Sequence, residues 1–373
     1  MIIRNGKVFI GGNFFSYDIR IENGFISEIG ENLSSSGEEI NASGKLIFPG
    51  FIETHIHGGA LGGLEDGEEQ VRKIADALPG WGVTSWTPTP TAGADVEQYA
   101  KTVRGIRAAR GARGAEMLGI HLYTPYRHRP ANPNVPCVPP AKDHTIALMD
   151  GDLSDLKIAM VAPELPGGME WIKWMTGLGV IVQIGFSEAS TAQIYEAADN
   201  GATLTDHFYN GFPLMDHHEC GSTIGCLLED RLYHQLTCDL IHVTKPFIEL
   251  MMRLKGVGKI VAVSDASRYM GAPDGEYVHR GIPAIKKDGA VRSRETGKLL
   301  TGCHSYDENM RTLYNAGFKL PHLGTMFSEN AAKMLGLTDR GKIEVGRRGD
   351  IVIMDEALNV EKTLILGKTV YSK

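Results

Sequence analysis

Two histidines separated by a single residue, His55 and His57, are the clearest candidates for chemistry in this sequence. They follow an apolar run over residues 46–52 that indicates a buried strand, and alternate residues of a strand point to the same side. The two imidazoles can therefore meet at one point, and imidazole is a common ligand of zinc and similar ions. The competing interpretation is a strand end without a metal, because short motifs also occur by chance.

Two more predicted strands end in polar residues, His207 and Asp265. In a barrel of parallel strands such ends meet on one face. Two imidazole nitrogens and the Asp265 carboxylate would leave one position open, as in catalytic zinc sites. Asp265 could then take a proton from a metal-activated water and pass it to a leaving group. The alternatives are a helix N-cap for Asp265 and a histidine held only by backbone hydrogen bonds for His207.

The elements that must position these residues alternate between apolar strands and amphipathic helices. This order favours parallel βα units, and the sequence predicts a (β/α)8 barrel over residues 49–341. A doubly wound open sheet is the competing fold, but its Gly-rich phosphate loop is absent after the first strand. The predicted strands lie at 46–57, 83–87, 117–122, 158–164, 180–185, 202–207, 235–240 and 259–265, and predicted helices at 68–78, 96–109, 191–200 and 329–335.

Short strand patterns with Gly and Asn turns occupy both ends of the chain, at residues 1–48 and 342–373. Because both ends share this pattern, we predict that they pair into one small β-sandwich module beside the barrel.

Composition excludes several classes of function. The 373 residues carry a net charge of -7 and no Lys/Arg-rich run, which argues against a nucleic-acid partner and favours a small-molecule substrate. No apolar run approaches the ~20 residues that a membrane span needs. Five scattered cysteines form neither a disulfide framework nor a zinc knot, so the cytoplasm is the predicted compartment.

Several motifs resemble those of the amidohydrolase superfamily and, within it, of the N-acetylglucosamine-6-phosphate deacetylases. The resemblance extends nearly from end to end. It rests on the segments at 49–59, 82–85, 119–122, 162–164, 207–210, 264–266, 328–332 and 341–350.

This resemblance implies a barrel with a split β module, usually dimeric, that hydrolyses the acetamide of an amino-sugar phosphate with a metal-activated water. His55 and His57 would be metal ligands, Asp265 the acid and base, and His207 a ligand of a second metal position. Contacts to the sugar phosphate would come from Asn210, Gly211 and His242, with His217, His218 and Arg129 as partial substitutes for a missing phosphate-binding arginine.

Four positions depart from the family pattern. Tyr123 and Phe186 stand where the family has a Glu and a His ligand, the loop 215–220 lacks the arginine, and Ala131 replaces a histidine. We therefore predict one divalent metal ion, zinc, in a hydrolase of an amide (N-acyl) bond in a small polar substrate. A degenerate relative that binds a sugar-like ligand without turnover is the alternative, and a lyase or isomerase is a third.

Overall fold

The computed structural model describes residues 1–34, 37–91, 95–130 and 136–373. The strands up to the first candidate ligand are β1 (Ile2–Arg4), β2 (Lys7–Ile10), β3 (Asn13–Ser16), β4 (Asp18–Glu22), β5 (Phe25–Gly30), β6 (Glu39–Asn41), β7 (Leu46–Pro49) and β8 (Phe51–Ile56). The central strands are β9 (Gly58–Gly59), β10 (Gly62–Gly63), β11 (Val83–Pro88), β12 (Glu116–Met117), β13 (Ile120–Leu122), β14 (Leu156–Val161), β15 (Ile181–Ile184), β16 (Ala202–Thr205), β17 (Tyr233–Thr237) and β18 (Ile260–Val263). The remaining strands are β19 (Gly275–His279), β20 (Ile282–Lys287), β21 (Ala290–Ser293), β22 (Leu299–Gly302), β23 (Ile351–Met354), β24 (Val360–Ile365) and β25 (Lys368–Ser372).

The helices alternate with the central strands and follow them. They are α1 (Glu68–Ala77), α2 (Val96–Ala108), α3 (Lys142–Leu148), α4 (Gly168–Gly177), α5 (Thr191–Asp199), α6 (Ser222–Leu228), α7 (Lys245–Lys255), α8 (Tyr306–Asn315), α9 (Leu320–Gly324) and α10 (Asn330–Met334). Single 3-10 turns lie at Leu64–Asp66, Leu78–Trp81 and Val257–Lys259, and a π-helical turn lies at Thr325–Glu329.

Nine parallel strands of the described residues carry the core and fall on the eight predicted strands, because β12 and β13 together occupy the one predicted at 117–122. Strands β8, β11 and β12 form one parallel sheet, and β13 to β18 form a second in sequence order. Most of their side chains are fully buried, because helices cover one face and facing strands the other. The predicted parallel α/β fold, with a curled sheet, is confirmed.

The two parallel sheets approach each other at both edges. At one edge the backbone N–H of Asp265 donates to the carbonyl of His55 at 2.9 Å, and that of His57 donates to Ala266 at 2.9 Å. At the other edge, Thr91 and Tyr123 form a parallel bridge. The residues that follow β8 and β18 are thus hydrogen-bonded neighbours.

Local sequence explains where the helices begin and end. Helix α1 turns Val71, Ile74 and Ala75 to the core and gives way to a 3-10 turn that contains Pro79. The Asp95 side chain accepts hydrogen bonds from two backbone N–H groups in the first turn of α2, as an N-cap residue does. The predicted helix at 329–335 begins one residue later, because the π-helical turn precedes it.

Strands from the two ends of the chain share one sheet, in the order β25-β24-β23-β7-β2-β3. A second sheet, β5-β4-β1-β6, packs with it around a separate cluster of apolar residues that includes Ile3, Ile19, Ile47 and Ile353. The pairing of the two ends is observed, whereas the division at residues 48 and 342 remains a prediction.

A four-stranded antiparallel sheet, β19 to β22, lies between β18 and α8 and was not predicted. Arg280 and Gly281 form the two-residue turn between β19 and β20, and both have positive φ, 50° and 82°. Among the described residues, no helix is long and apolar enough to cross a membrane.

Candidate functional site

Three of the predicted site residues meet at the edge between β8 and β18. The Nε2 atoms of His55 and His57 are 3.3 Å apart, and Asp265 Oδ1 lies 3.1 Å from His57 Nε2 and 3.6 Å from His55 Nε2. In the described part of the chain, this trio is the group of His, Cys, Asp and Glu side chains whose ligand atoms lie close enough to hold one metal ion. No helix begins at Asp265, and a turn follows it at residues 268–271.

Both histidines are held with Nε2 directed to the common point. His57 Nδ1 lies 2.7 Å from the carbonyl oxygen of Thr89, which can only accept, so Nδ1 carries a proton and Nε2 is the nitrogen that is left to bind a metal. His55 Nδ1 lies 3.0 Å from Gln235 Oε1. Burial lowers the pKa of His55 well below its ordinary value, which favours the neutral imidazole that binds metals.

The Asp265 carboxylate stays ionised in this setting. Burial raises its pKa, but the electrostatic interactions with the adjacent imidazoles of His55 and His57 outweigh that effect, and the pKa lies well below its ordinary value. Two imidazoles and one carboxylate are a donor set that suits a divalent metal such as zinc. The residues present therefore fit the metal that the sequence predicted.

Glu53, two residues before His55, joins the two strands that carry the trio. Its carboxylate accepts the backbone N–H of His55 and that of Ser264, each at 2.9 Å. Burial raises the pKa of Glu53 to about 8. Because one side chain fixes the backbone beside His55 and beside Asp265, it sets the distance between these two ligands.

Asp206 is a functional candidate that sequence reasoning missed. Its side chain is fully buried, and neither oxygen has a hydrogen-bond partner among the described residues. Oδ1 lies 3.3 Å from His55 Nδ1 and Oδ2 lies 3.5 Å from His207 Nδ1, within ion-pair distance but without hydrogen-bond geometry. Burial raises its pKa to about 6. The signal was a carboxylate directly before a strand-end histidine.

His207 does not join the trio. Its Nε2 lies 3.1 Å from the Tyr123 hydroxyl, and its ring stacks on that of His55 at 5.4 Å between centroids. Tyr123 and Phe186 hold the guanidinium of Arg127 between them, 4.6 Å from each ring centroid. Arg127 is only 1% exposed, and aromatic side chains and a cation occupy the neighbourhood where the resemblance expected a second metal.

The residues predicted to contact the sugar phosphate lie after strands β16 and β17. The Asn210 amide donates to the carbonyl of His207 at 3.1 Å, and Gly211 packs against the Phe186 ring so closely that a Cβ would lie 2.7 Å from it. His242 Nδ1 lies 2.6 Å from Asp239 Oδ2. Burial alone would lower the pKa of His242, but the contact with Asp239 raises it, so this imidazole protonates readily.

The other predicted substrate contacts lie at the surface. His217, with 86% of its side chain exposed, stacks on His218, and Arg129 forms an ion pair with Glu188. A cavity of about 610 Å³ includes Arg129, Met215 and Asp216, but none of the trio. The size of this cavity supplies no chemistry by itself, whereas the trio offers metal ligands. Ala131 lies outside the described residues.

Comparisons with known proteins identify the family of the chain. The model of the Amidohydrolase family matches residues 285–370. The chain is 33% identical to N-acetylglucosamine-6-phosphate deacetylase of Lysinibacillus sphaericus over 99% of this chain and 97% of that protein. It is 30% identical to N-acetylgalactosamine-6-phosphate deacetylase of Escherichia coli O157:H7 over 94% of each.

A solved structure is also similar to this chain over its whole length. The crystal structure of N-acetylglucosamine-6-phosphate deacetylase from Thermotoga maritima superposes with a TM-score of 0.88 at 26% identity and covers 100% of both chains. The chain belongs to the amidohydrolase family, as an enzyme that acts on an amide bond and a divergent relative of the N-acetylglucosamine-6-phosphate deacetylases.

Proposed function

We propose that this protein removes the acyl group from an N-acylated amino sugar with one zinc ion held by His55, His57 and Asp265. The observation that carries the proposal is the convergence of two Nε2 atoms and one carboxylate oxygen, with both His Nδ1 atoms engaged elsewhere. A zinc ion held by these residues would act as a Lewis acid and would polarise the attacking water and the amide carbonyl.

The chain's own groups handle the proton and the orientation. Asp265 turns Oδ1 towards the imidazoles and keeps Oδ2 to accept a proton from the attacking water. It then returns the proton to the leaving nitrogen. Glu53 keeps Asp265 and His55 at a constant separation, since it bonds to the backbone beside both.

The amino-sugar part of the substrate lies towards Asn210, Gly211 and His242 in this proposal. His242 suits an anionic or hydroxyl oxygen, because Asp239 raises the pKa of its imidazole. His207 contacts the substrate or a water rather than a second metal, since Tyr123 engages its Nε2. One metal per chain is therefore expected.

Several broader features belong to the same proposal. With β12 and β13 taken as one interrupted strand, the parallel strands close into a (β/α)8 barrel over residues 49–341, supported by the hydrogen bonds at the β8–β18 edge. Residues 1–48 and 342–373 form the β module. The protein works as a homodimer on a small molecule. Five free cysteines fit a reducing compartment, the cytoplasm.

The test combines metal analysis with turnover. Purified protein should carry about one zinc per chain and release the acid from N-acylated glucosamine substrates. Asp265→Asn should reduce kcat by at least about a hundredfold, the range typical of acid and base groups. A metal-free protein that binds an amino sugar without hydrolysing it would instead support the degenerate relative.

N-acetylglucosamine 6-phosphate is expected to be a poor substrate. The loop 215–220 offers no arginine to its phosphate, and a charge-assisted contact is hard to replace. Turnover of that compound at rates ordinary for an enzyme, on the order of 10 per second, would contradict this expectation.

A further inference from the structure

A cavity of about 230 Å³ opens directly beside the metal trio. Its walls include His57, Ser267, Arg268, Tyr269, His279 and Arg280, and we call it the Arg280 cavity. A single water needs only ~10–15 Å³ of such space, so the cavity accepts several non-hydrogen atoms. This is more than an acetyl group requires.

The position of the Arg280 cavity separates it from the predicted sugar contacts. It lies against residues that follow β8, β11 and β18, whereas Asn210 and His242 follow β16 and β17. A substrate whose scissile amide lies at the trio, with its amine part towards Asn210, would extend its acyl part into this cavity.

Arg280 is the cation in this cavity that has no carboxylate partner among the described residues. Arg268, in contrast, is 2.6 Å from Glu65 Oε1 and 3.2 Å from Asp66 Oδ2. The pKa of His279 is lowered to about 4, by burial and then by the charges of Arg280 and Arg268, so His279 is neutral near pH 7. Among the charged side chains that line the cavity, Glu65 pairs with Arg268, which leaves Arg280 as the positive charge without a carboxylate partner in the described part of the chain.

The backbone at Arg280 adopts a conformation that favours other residue types. A two-residue hairpin turn with positive φ at both positions favours Asn, Asp or Gly at the first, because a side chain with a long stem is strained there. Arg280, an exposed residue that lines the cavity, occupies this first position with a φ of 50°.

We propose that the Arg280 cavity binds the acyl group of the substrate and that the preferred acyl group is a short dicarboxylic one, such as succinyl, whose free carboxylate pairs with Arg280. This inference rests on the proposed function. The reaction stays a simple hydrolysis: the amide C–N bond breaks, water supplies OH to the acyl carbon and a proton to the nitrogen, and the products are a free dicarboxylate and an amine.

The test uses glucosamine that carries an N-acetyl, N-butyryl or N-succinyl group. Butyryl and succinyl have the same number of carbons and differ in the terminal carboxylate. The zinc-loaded protein should hydrolyse the succinyl compound with a kcat/KM about tenfold to a hundredfold above that of the butyryl compound, the range of one charge-assisted hydrogen bond.

The key variant is Arg280→Asn, because asparagine suits the turn and removes the charge. This variant should have a higher KM for the succinyl compound and so lose that preference. Its kcat/KM for the butyryl compound should change little. The matched control is Arg294→Asn, an exposed arginine that follows β21 and pairs with Glu276. Thermal unfolding should show that Arg280→Asn is at least as stable as the parent protein.

Calorimetry with free succinate and butyrate gives a readout that does not depend on turnover. Zinc-loaded parent protein should bind succinate more tightly than butyrate, and Arg280→Asn should abolish the difference. Equal binding by both proteins, or a parent enzyme that prefers the butyryl compound, would overturn the inference. If no amide is hydrolysed at all, the proposed function fails, and calorimetry still decides whether the cavity binds a dicarboxylate.

Discussion

At the scale of single residues, His57 serves the metal site without being part of the buried core. His57 is partly exposed and contacts the Thr89 carbonyl and Asp265. His57→Ala should therefore lose bound zinc and keep its fold, because active-face residues of such proteins contribute little to stability. Elemental analysis and circular dichroism measure both effects, with His322→Ala as the control. A variant that retains a full equivalent of zinc would show that His57 is not a ligand.

Asp206 should strengthen metal binding without touching the metal. Its carboxylate lies beside Nδ1 of His55, and a carboxylate behind a ligating histidine fixes the ring and raises its basicity. Asp206→Asn should weaken zinc binding about tenfold to a hundredfold, measured by competition with a chelator. If the zinc affinity is unchanged, Gln235 alone holds the His55 ring in its orientation.

Tyr123 and Phe186 should exclude a second metal. The double variant Tyr123→Glu with Phe186→His supplies two ligands and frees His207 Nε2, so zinc should rise from about one towards two per chain. Each single variant should change the zinc content much less, since it leaves the position incomplete. Arg127 remains beside the new ligands as a cation, so the second ion should bind more weakly than the first. Two zinc ions in the parent protein would contradict this prediction.

At the scale of elements, strand β17 should make the fold sensitive to acid. His234 is buried on this strand, and burial, followed by the charges of Lys255 and Lys259, lowers its pKa to about 3, against about 6.5 in an unfolded chain. The pKa of His234 is thus lower in the folded than in the unfolded protein. The stability that neutral His234 contributes is therefore complete above pH 6.5 and is lost as the pH falls towards 3.

His234→Gln should therefore lose less free energy of unfolding than the parent protein between pH 6.5 and 3. The difference should reach up to several kcal/mol, at about 1.4 kcal/mol per pKa unit. Urea unfolding at a series of pH values measures it. The exposed His217→Gln variant should follow the parent curve, and a His234→Gln curve with the parent's slope would contradict the assignment.

Elements differ in how far the sequence predicts them. The parallel strands were predictable because continuous apolar runs bury both faces, and the polar residues at their ends identified His55, His57 and Asp265. The roles of Arg127 and Asp206 were not, because each depends on partners from other strands. The sheet β19–β22 also escaped prediction, and with it Arg280, because short strands with mixed polarity resemble loops.

At the scale of the whole molecule, the two ends of the chain should support the metal site together. Strand β7 leads directly into β8 and pairs with β23, which in turn pairs with β24. Deletion of residues 356–373 removes β24 and β25, including the buried Leu364 and the Thr363 hydroxyl that donates to Pro79. The shortened protein should unfold at lower urea and hold less zinc. Deletion of residues 372–373 is the control, and full zinc retention by the longer deletion would contradict the prediction.

The pairing of β7 with β23 also affects the order of events on the ribosome. The strand before His55 gains this neighbour only after about 300 further residues have been made, which takes on the order of 15 to 60 seconds at ordinary rates of synthesis. His55 and His57 leave the exit tunnel long before Asp265 and β23. We therefore expect nascent chains to capture zinc only after β23 has been made, so that metal supply acts on the paired strands rather than on the early nascent chain.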